Sequence, residues 1–372
     1  MKIDSHFYGV LAFCRAVGFN KGASHIVAYA SQFVDDAKAN QIVLEEVPEE
    51  GIKTTELSEG PAFINMATCH KYKNIDTFNF DAMMNNTTAF HFVPGCEGNN
   101  FPRKLRCKKE SPIIMNILED AKEEGDLIKL GITLHAYADT FSHQGFAGLL
   151  SKVNDISDLE VINGIKDDKF KFMNAMEVVF DGIGQKTDRL MPAYGHGQVF
   201  IYPDTPYLEW QYSYDDSEHF TKDYKTTGKI DNKDRFEEAF KKIKNHLEEF
   251  LENNPKYKEE GDFERFDVLF STLLSHKTFD ERIIDWERLY PEMDLYNKEE
   301  EQYYSYDENL WLDNAFADFT EDKYNKRIVR NAKLQDGFEN SNWYNFYLAV
   351  DWYKQKFYSC CQENGLDIPY EN

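Results

Sequence analysis

The chain has 372 residues, of which 42% are hydrophobic and 15% are aromatic, so it is long enough for one large folded domain or two ordinary ones. Its formal net charge of -24 argues against binding long nucleic acids, because that binding relies on lysine and arginine neutralising phosphates. It argues equally against docking on an anionic membrane through a basic patch. A small substrate held by a local cationic centre, such as a metal ion, remains compatible with this charge.

The chain lacks the sequence features of export or membrane insertion. No apolar run reaches the roughly 18 residues of a transmembrane helix, and no signal peptide follows the first lysine. The six cysteines form no C-x-x-C pair, which is typical of reduced thiols and argues against a thiolate zinc site. We therefore expect a cytoplasmic protein without a membrane anchor.

Helical periodicity dominates the chain and predicts an all-α fold, a multi-helix bundle around one buried helix. The predicted helices cover about 4–17, 20–36, 111–124, 126–144 and 166–190, and then four acidic amphipathic stretches after residue 232. One short β-hairpin is expected within 199–214. We expect a core domain over 1–212 and an acidic helical region over 213–372 packed on it, which could also dock a protein partner.

The predicted central helix carries three potential metal ligands on one face. His135, Asp139 and His143 are spaced i, i+4 and i+8, and the same face continues back through Ile128 and Ile132. The carboxylate should therefore point into the protein, where it needs a partner because desolvation is costly. A divalent metal ion would satisfy all three groups. The alternative is a buried hydrogen-bond network without metal.

Further histidines and aspartates could complete such a site. The face of the first helix that carries Val10 and Phe13 also carries a histidine, and the second helix ends in two aspartates whose direction periodicity does not decide. Less regular segments supply the others. The candidate ligands are His6, Asp35 or Asp36, His70, His91, His135, Asp139, His143 and His196, with Asp204 as a possible substitute. This set is too large for one tetrahedral zinc ion and suggests clustered ions, which favour phosphoester hydrolysis.

The same motifs resemble those of a known superfamily. An early histidine, an aspartate closing the second helix, and His-x-x-x-Asp followed by another histidine match His6, Asp35 and the 135–143 stretch. This pattern resembles the zinc-dependent phospholipase C and single-strand nuclease superfamily. The chain also resembles, over most of its length, a bacterial family of uncharacterised domains similar to that superfamily. The resemblance implies an all-α fold, a zinc cluster and phosphodiester hydrolysis.

The pattern departs from the superfamily in ways that affect the metal count. The last histidine follows the aspartate after four residues instead of six, no second His-x-x-x-acid motif follows, and the superfamily's N-terminal tryptophan is absent. We therefore expect one or two Zn²⁺ ions, with Mn²⁺ or another divalent metal as alternatives.

The leading hypothesis is a metal-dependent hydrolase of a phosphoester or phosphodiester, whose substrate is a lipid, a nucleotide or a small phosphorylated molecule. Asp35 or Asp139 would act as general base on the attacking water, and His196 would bind metal or phosphate. One alternative is a non-catalytic binding or regulatory module that a metal stabilises. A further alternative is a helical scaffold with a metal-free polar core.

Overall fold

A computed structural model of the chain describes residues 1–69, 80–164, 193–215, 224–259 and 265–368. Its α-helices, in chain order, are α1 (Val10–Val17), α2 (Lys21–Asp36), α3 (Phe80–Ala82), α4 (Ala89–His91), α5 (Phe101–Lys104), α6 (Pro112–Glu124), α7 (Leu127–Ser142), α8 (Asn232–Asn253), α9 (Phe266–Leu273), α10 (Phe279–Glu292), α11 (Leu310–Ala315), α12 (Glu321–Tyr324) and α13 (Asn342–Glu363). Two π-helical segments, Asp4–Gly9 and Met83–Thr88, lead into α1 and α4.

Helix α7 is the buried centre of the molecule, as predicted. Every residue of α7 except Lys129 is buried, and α2, α4, α6, α8 and α13 pack around it. The Asp126 side chain caps its first turn by accepting the N–H groups of Ile128 and Lys129 at 2.8 and 2.9 Å. A Cβ at Gly131 would lie 2.4 Å from the carbonyl oxygen of Val27, so only glycine permits this close approach of α2.

The expectation of an all-α fold is wrong, because the described part of the chain contains two four-stranded sheets. The strands are β1 (Gln41–Leu44), β2 (Thr55–Leu57), β3 (Gly60–Ile64), β4 (Ile156–Asn163), β5 (Glu209–Asp215), β6 (Tyr224–Thr226), β7 (Ile230–Asp231) and β8 (Ile328–Ala332). The first sheet has the order β2-β3-β1-β8, and the second has β4-β5-β6 with β7 also paired to β5. Strands this short show little alternation, and their partners lie far away in sequence.

The second sheet replaces the expected hairpin. Residues Gly197–Val199 and Tyr202–Asp204 form 3-10 turns instead of a first strand. The second predicted strand does exist as β5, but it pairs antiparallel with β4, which begins about 50 residues earlier. The predicted helix over 166–190 lies outside the described residues.

One hydrophobic core runs through residues of both expected regions, from Met1 to Ile368. Helices α8 and α13 pack on α7, and β8 pairs in parallel with β1, so residues after 212 share the core of the first 212. A smaller apolar cluster joins Phe92 and Phe146 to Trp210 of β5. Within the described ranges, no helix is long and apolar enough to cross a membrane.

Candidate metal centre

Histidine and aspartate side chains from distant parts of the chain meet beside the C-terminal half of α7. They come from the first π-helical segment, the last turn of α2, the end of α4, α7 itself and the turns after residue 195. The residues of this group that are at most 7% exposed are His6, His91, His135, Asp139, His143, His196 and Asp204. The side chain of Asp35 is 29% exposed and forms the one wetter edge of the described group.

Asp139 lies at the middle of this group. Its Oδ1 atom is 3.1 Å from His6 Nε2, and its Oδ2 atom is 3.2 Å from His91 Nδ1 and 3.5 Å from His135 Nε2. The Met1 ammonium donates to Oδ1 of Asp139 and lies 3.0 Å from Oδ1 of Asp204. The ammonium therefore links two carboxylates that are far apart in sequence.

A second cluster adjoins the first at the end of α7. His143 follows the last residue of α7 as its C-cap, with its Nε2 atom 3.0 Å from Oδ1 of Asp204. Nε2 of His196 lies 3.7 Å from Oδ2 of the same carboxylate. The rings of His143 and His196 are 4.6 Å apart, and both contact Phe92.

Three histidines are oriented by main-chain carbonyls. His91 Nε2 donates to Thr68 O at 3.0 Å, His143 Nδ1 donates to His91 O at 2.7 Å, and His196 Nδ1 donates to Phe200 O at 2.6 Å. A carbonyl oxygen can only accept, so in each neutral ring the other nitrogen carries a lone pair. Those lone pairs face carboxylate oxygens of Asp139 and Asp204. Two acceptors this close repel unless a proton or a cation lies between them.

His6 and His135 have a different arrangement. Their rings stack with centroids 3.8 Å apart, and the Nδ1 atom of each is buried with no hydrogen-bond partner. Ligand atoms of His6, Asp35 and His135 lie within 4.8 Å of one another, as do those of two more groups. The other groups are His91 with His135 and Asp139, and His143 with His196 and Asp204. All three could hold a metal ion.

The electrostatic environment favours the charged form of Asp139 and Asp204 and the neutral form of His6, His135 and His196. Burial lowers the pKa of His6, holds that of His135 well below its usual value and brings that of His196 to about 4. Burial alone would raise the pKa of Asp139 and Asp204, but the neighbouring positive charges hold both well below their usual range.

Asp35 and His91 have raised pKa values. Desolvation, followed by the charge of Asp139, raises the pKa of the Asp35 carboxyl to about 7. Burial alone would lower the pKa of His91, but the hydrogen bond to Asp139 and the carboxylate charges outweigh it and raise that pKa. Divalent metals bind neutral histidine and ionised carboxylate, so metal binding would displace any proton that Asp35 or His91 holds.

Periodicity did not decide which of the adjacent aspartates Asp35 and Asp36 points inward, and the structure shows that their side chains point in different directions. Asp35 faces the centre, at 3.8 Å from His91 Nδ1 and 3.9 Å from His135 Nε2. Asp36 turns away, and its Oδ2 atom accepts hydrogen bonds from Gln32 at 3.0 Å and Tyr306 at 2.8 Å. Asp36 is therefore not placed as a ligand. His70 lies outside the described residues.

Sequence reasoning gave too little weight to Asp204 and did not consider Met1. Asp204 was only a substitute candidate because it sits in a Pro-rich turn, where no periodicity indicates its direction. Its pairing with His143 depends on the path of the chain over the end of α7. The proximity of Met1 to Asp139 has no local signal at all.

Comparison with known proteins places the chain in a family without assigning it an activity. No curated protein matches it, and no solved structure matches it. The resemblance to the phospholipase C and nuclease superfamily therefore stays a prediction from motifs. One family model, described as "Family of unknown function (DUF6765)", matches residues 1–361, and the chain belongs to that family.

Proposed function

We propose that this protein is a metal-dependent hydrolase acting on a phosphoester or phosphodiester. The observation that carries the proposal is the orientation of His91, His143 and His196. Each gives one ring N–H to a main-chain carbonyl and turns its other nitrogen toward a buried carboxylate. Metal-binding histidines are typically held in this way by their second-shell partners.

The residues present fit a site for one or two Zn²⁺ ions, with Mn²⁺ or another divalent metal as alternatives. His6, Asp35 and His135 would hold one ion, and His143, His196 and Asp204 would hold a second. The Nε2 atom of His135 supports this assignment, since it faces the Asp35 carboxylate at 3.9 Å, a separation that an ion between the two atoms could bridge. A bound divalent ion would supply positive charge that acidifies a coordinated water and neutralises developing charge on a phosphoryl group.

We assign the remaining roles, such as accepting a proton and orienting the ligands, by how exposed each side chain is. Asp35 is the acid with the exposed edge, so it is the group positioned to accept a proton from the attacking water. Asp139 is almost fully buried among histidines, and its role would be to orient them and to share in binding. His196, oriented by its bond to Phe200, would bind a metal ion or contact the phosphate.

The substrate would be a small or lipid phosphoester. The net charge of -24 disfavours a long polyanion such as nucleic acid, whereas a single phosphate can be drawn to a local cationic centre. Lipids, nucleotides and phosphorylated metabolites all carry the required group.

Burial of the centre supports one alternative function. His6, His135 and Asp139 are at most 1% exposed, which also suits a metal ion that only stabilises a binding or regulatory module. In that case the acidic C-terminal half would offer a surface for a protein partner. A closed ligand set without room for water would favour this module over the enzyme.

Neighbouring aspartates on α2 provide a matched test. Metal content and hydrolysis of bis-p-nitrophenyl phosphate are measured for the purified protein with Zn²⁺, with Mn²⁺ and with chelator. We expect metal-dependent hydrolysis that falls at least tenfold in Asp35→Asn and changes less than twofold in Asp36→Asn. Equal loss in both variants would contradict the assigned role of Asp35. Bound metal without hydrolysis of several phosphoesters would favour the module.

A further inference from the structure

A cleft of about 670 Å³ lies between the last helix, α13, and the first sheet. Tyr347, Asp351 and Tyr358 line it from α13, and Thr55 of β2 and Ile64 of β3 line it from the sheet. None of its described lining residues is a candidate metal ligand. A volume of several hundred Å³ is typical of a site for a small molecule, so this cleft is a second place where a ligand can bind.

The wall of this cleft contains a buried amine. Lys354 of α13 lines the cleft and is 1% exposed. Its Nζ atom donates to the main-chain oxygen of Asn65 at 2.6 Å and lies 5.7 Å from the centroid of the Phe90 ring. A carbonyl and an aromatic ring carry no net charge. They therefore orient the amine without the full negative charge that would hold a proton on it.

The charged groups around Lys354 do not replace that missing anion. Asp351, one turn earlier on α13, pairs with Lys53 at 2.8 Å, and Lys354 forms no ion pair with any residue that the structure describes. The charge of Arg327 disfavours a second cation, and Asp367 is the other acid of the described lining. Because burial outweighs the attraction of Asp351, the pKa of the Lys354 ammonium falls to about 7. About half of these amines are then unprotonated at neutral pH.

An unprotonated lysine amine beside a cleft is a nucleophile, and burial is one of the ways in which proteins activate lysine for imine formation. A neutral amine has two N–H groups and one lone pair. One N–H of Lys354 is given to Asn65 O, which leaves the lone pair for a carbonyl carbon. The cleft therefore combines the space for a ligand with a group that can react with it.

The remaining lining indicates which carbonyl compounds fit. Apart from Lys354, the charged side chains of the described lining are those of Lys53, Asp351 and Asp367, so positive charge is not in excess. An anionic compound such as a keto acid is disfavoured there. The cleft also presents hydroxyl and amide groups, which suit a ligand with hydroxyl groups of its own. They belong to Thr55, Gln355, Ser359 and Gln362.

We infer that Lys354 forms an imine with a small, neutral, hydroxyl-bearing aldehyde or ketone that binds in this cleft. The Nζ lone pair forms a bond to the carbonyl carbon, and the carbonyl oxygen takes up a proton as nitrogen releases one. The resulting carbinolamine loses that oxygen as water when the C=N bond forms and nitrogen gives up its second proton. The step releases one water molecule and needs no oxidant or reductant. It does not depend on the proposed hydrolase activity.

Reductive trapping tests the inference. The purified protein is incubated at pH 7 with glyceraldehyde and sodium cyanoborohydride, which reduces an imine to a stable secondary amine, and peptide mass spectrometry gives the rate at each lysine. We expect Lys354 to be labelled at least tenfold faster than Lys53, although Lys53 lines the same cleft and has a side chain that is 62% exposed. The rate at Lys354 should saturate with glyceraldehyde concentration. Anionic pyruvate should label it at least tenfold more slowly.

Lys356 provides a matched control on the same helix. Its side chain is 39% exposed and pairs with Asp120, and that hydrogen bond raises its pKa. We expect labelling of Lys354 to level off above about pH 8, whereas labelling of Lys356 should still increase there. Lys354→Met should remove the fast phase of total labelling, and Lys356→Met should leave it unchanged.

A variant that keeps the amine tests the cleft itself. Ser359 is exposed and lines the cleft, so Ser359→Trp should fill part of the space and slow labelling of Lys354 at least fivefold. This variant carries the test if Lys354→Met does not fold by circular dichroism. Labelling of Lys354 no faster than that of Lys53 and Lys356 would overturn the inference. A rate that stays linear in glyceraldehyde and unchanged in Ser359→Trp would also overturn it, and equal labelling by pyruvate would overturn the neutral ligand class. Loss of phosphoester hydrolysis would refute only the enzyme.

Discussion

In the described part of the chain, two regions contain side chains at the spacing of a metal site, and they differ in how their charge is balanced. The first is the centre around Asp139. The second consists of Glu119, His246 and Glu249 on α6 and α8, with ligand atoms within 4.8 Å of one another. The second group already contains a cation, because Lys122 Nζ lies 2.8 Å from Glu119 and also contacts Glu249 and His246.

The comparison teaches that spacing alone does not identify a metal site. Glu119 and Glu249 are 54% and 53% exposed, so water and Lys122 satisfy them without a metal ion. In the first group the Met1 ammonium contacts Asp139 and Asp204, yet the inward-facing nitrogens of the oriented histidines still meet carboxylate oxygens. Burial combined with facing acceptors is what distinguishes the first group.

The largest expected effect comes from Asp139→Asn. We expect bound metal to fall by at least half, because the amide replaces the central anion with a weaker, neutral ligand. Melting temperature in saturating Zn²⁺ should fall by roughly 5–10 °C, since a ligand at 1,000 times its Kd stabilises the native state by about 4 kcal/mol. Elemental analysis and thermal melts with and without chelator measure both quantities.

Chelator sensitivity is the control for this variant. The parent chain should lose stability with chelator, whereas Asp139→Asn should melt at nearly the same temperature with and without it. An equal metal content in the two metal-loaded proteins would contradict the role of Asp139 in metal binding. A parent chain that binds no metal and is indifferent to chelator would leave only the metal-free scaffold.

The buried cation Lys354, for which the described residues supply no carboxylate ion pair, allows the comparison to be extended by varying pH. Lys354 of α13 is 1% exposed and donates to Asn65 O at 2.6 Å, and burial lowers the pKa of its ammonium to about 7. Between about 7 and the ordinary value of 10.5, the unfolded chain binds more protons, so this group makes stability rise with pH. Below pH 7 both states are protonated and the contribution is constant.

Lys354→Met should remove that dependence. We expect the gain in unfolding free energy between pH 7 and pH 9 to be smaller than in the parent chain by on the order of 2 kcal/mol. Urea melts at the two pH values provide the double difference, which cancels the titration of cysteines and other groups. Parallel pH profiles of the two proteins would show that Lys354 is solvated in solution.

The smallest effect is expected from Lys122→Met in the second group. Its carboxylate partners are half exposed, so the free energy of unfolding should fall by about 1 kcal/mol or less. The metal content should not change. Thermal melts and elemental analysis again measure both. Uptake of an additional metal ion by this variant would show that the second group can bind metal once Lys122 is removed. It would contradict the conclusion that the exposure of this group also prevents metal binding.

Local signals in the chain predicted the helices well and the sheets poorly. The ends of α1 and α6 follow from Gly18 and Gly125, which have φ values of 103° and 65° where other residues are strained. By contrast, β1 pairs Gln41 with Ile328 in a parallel register that only folding of nearly the whole chain creates. Strands of two to eight residues carry too few alternations to reveal such pairing.

The sequence by itself determined that His135 and Asp139 share an inward face, because a helical repeat of 3.6 residues places positions four apart above one another. It also determined that the second helix ends at two acids. Only the tertiary structure decided that Asp35 faces the centre while Asp36 bonds Tyr306, and that Asp204 and Met1 join it. Those contacts join segments distant in sequence, so they depend on how the core packs as a whole and not on any local periodicity.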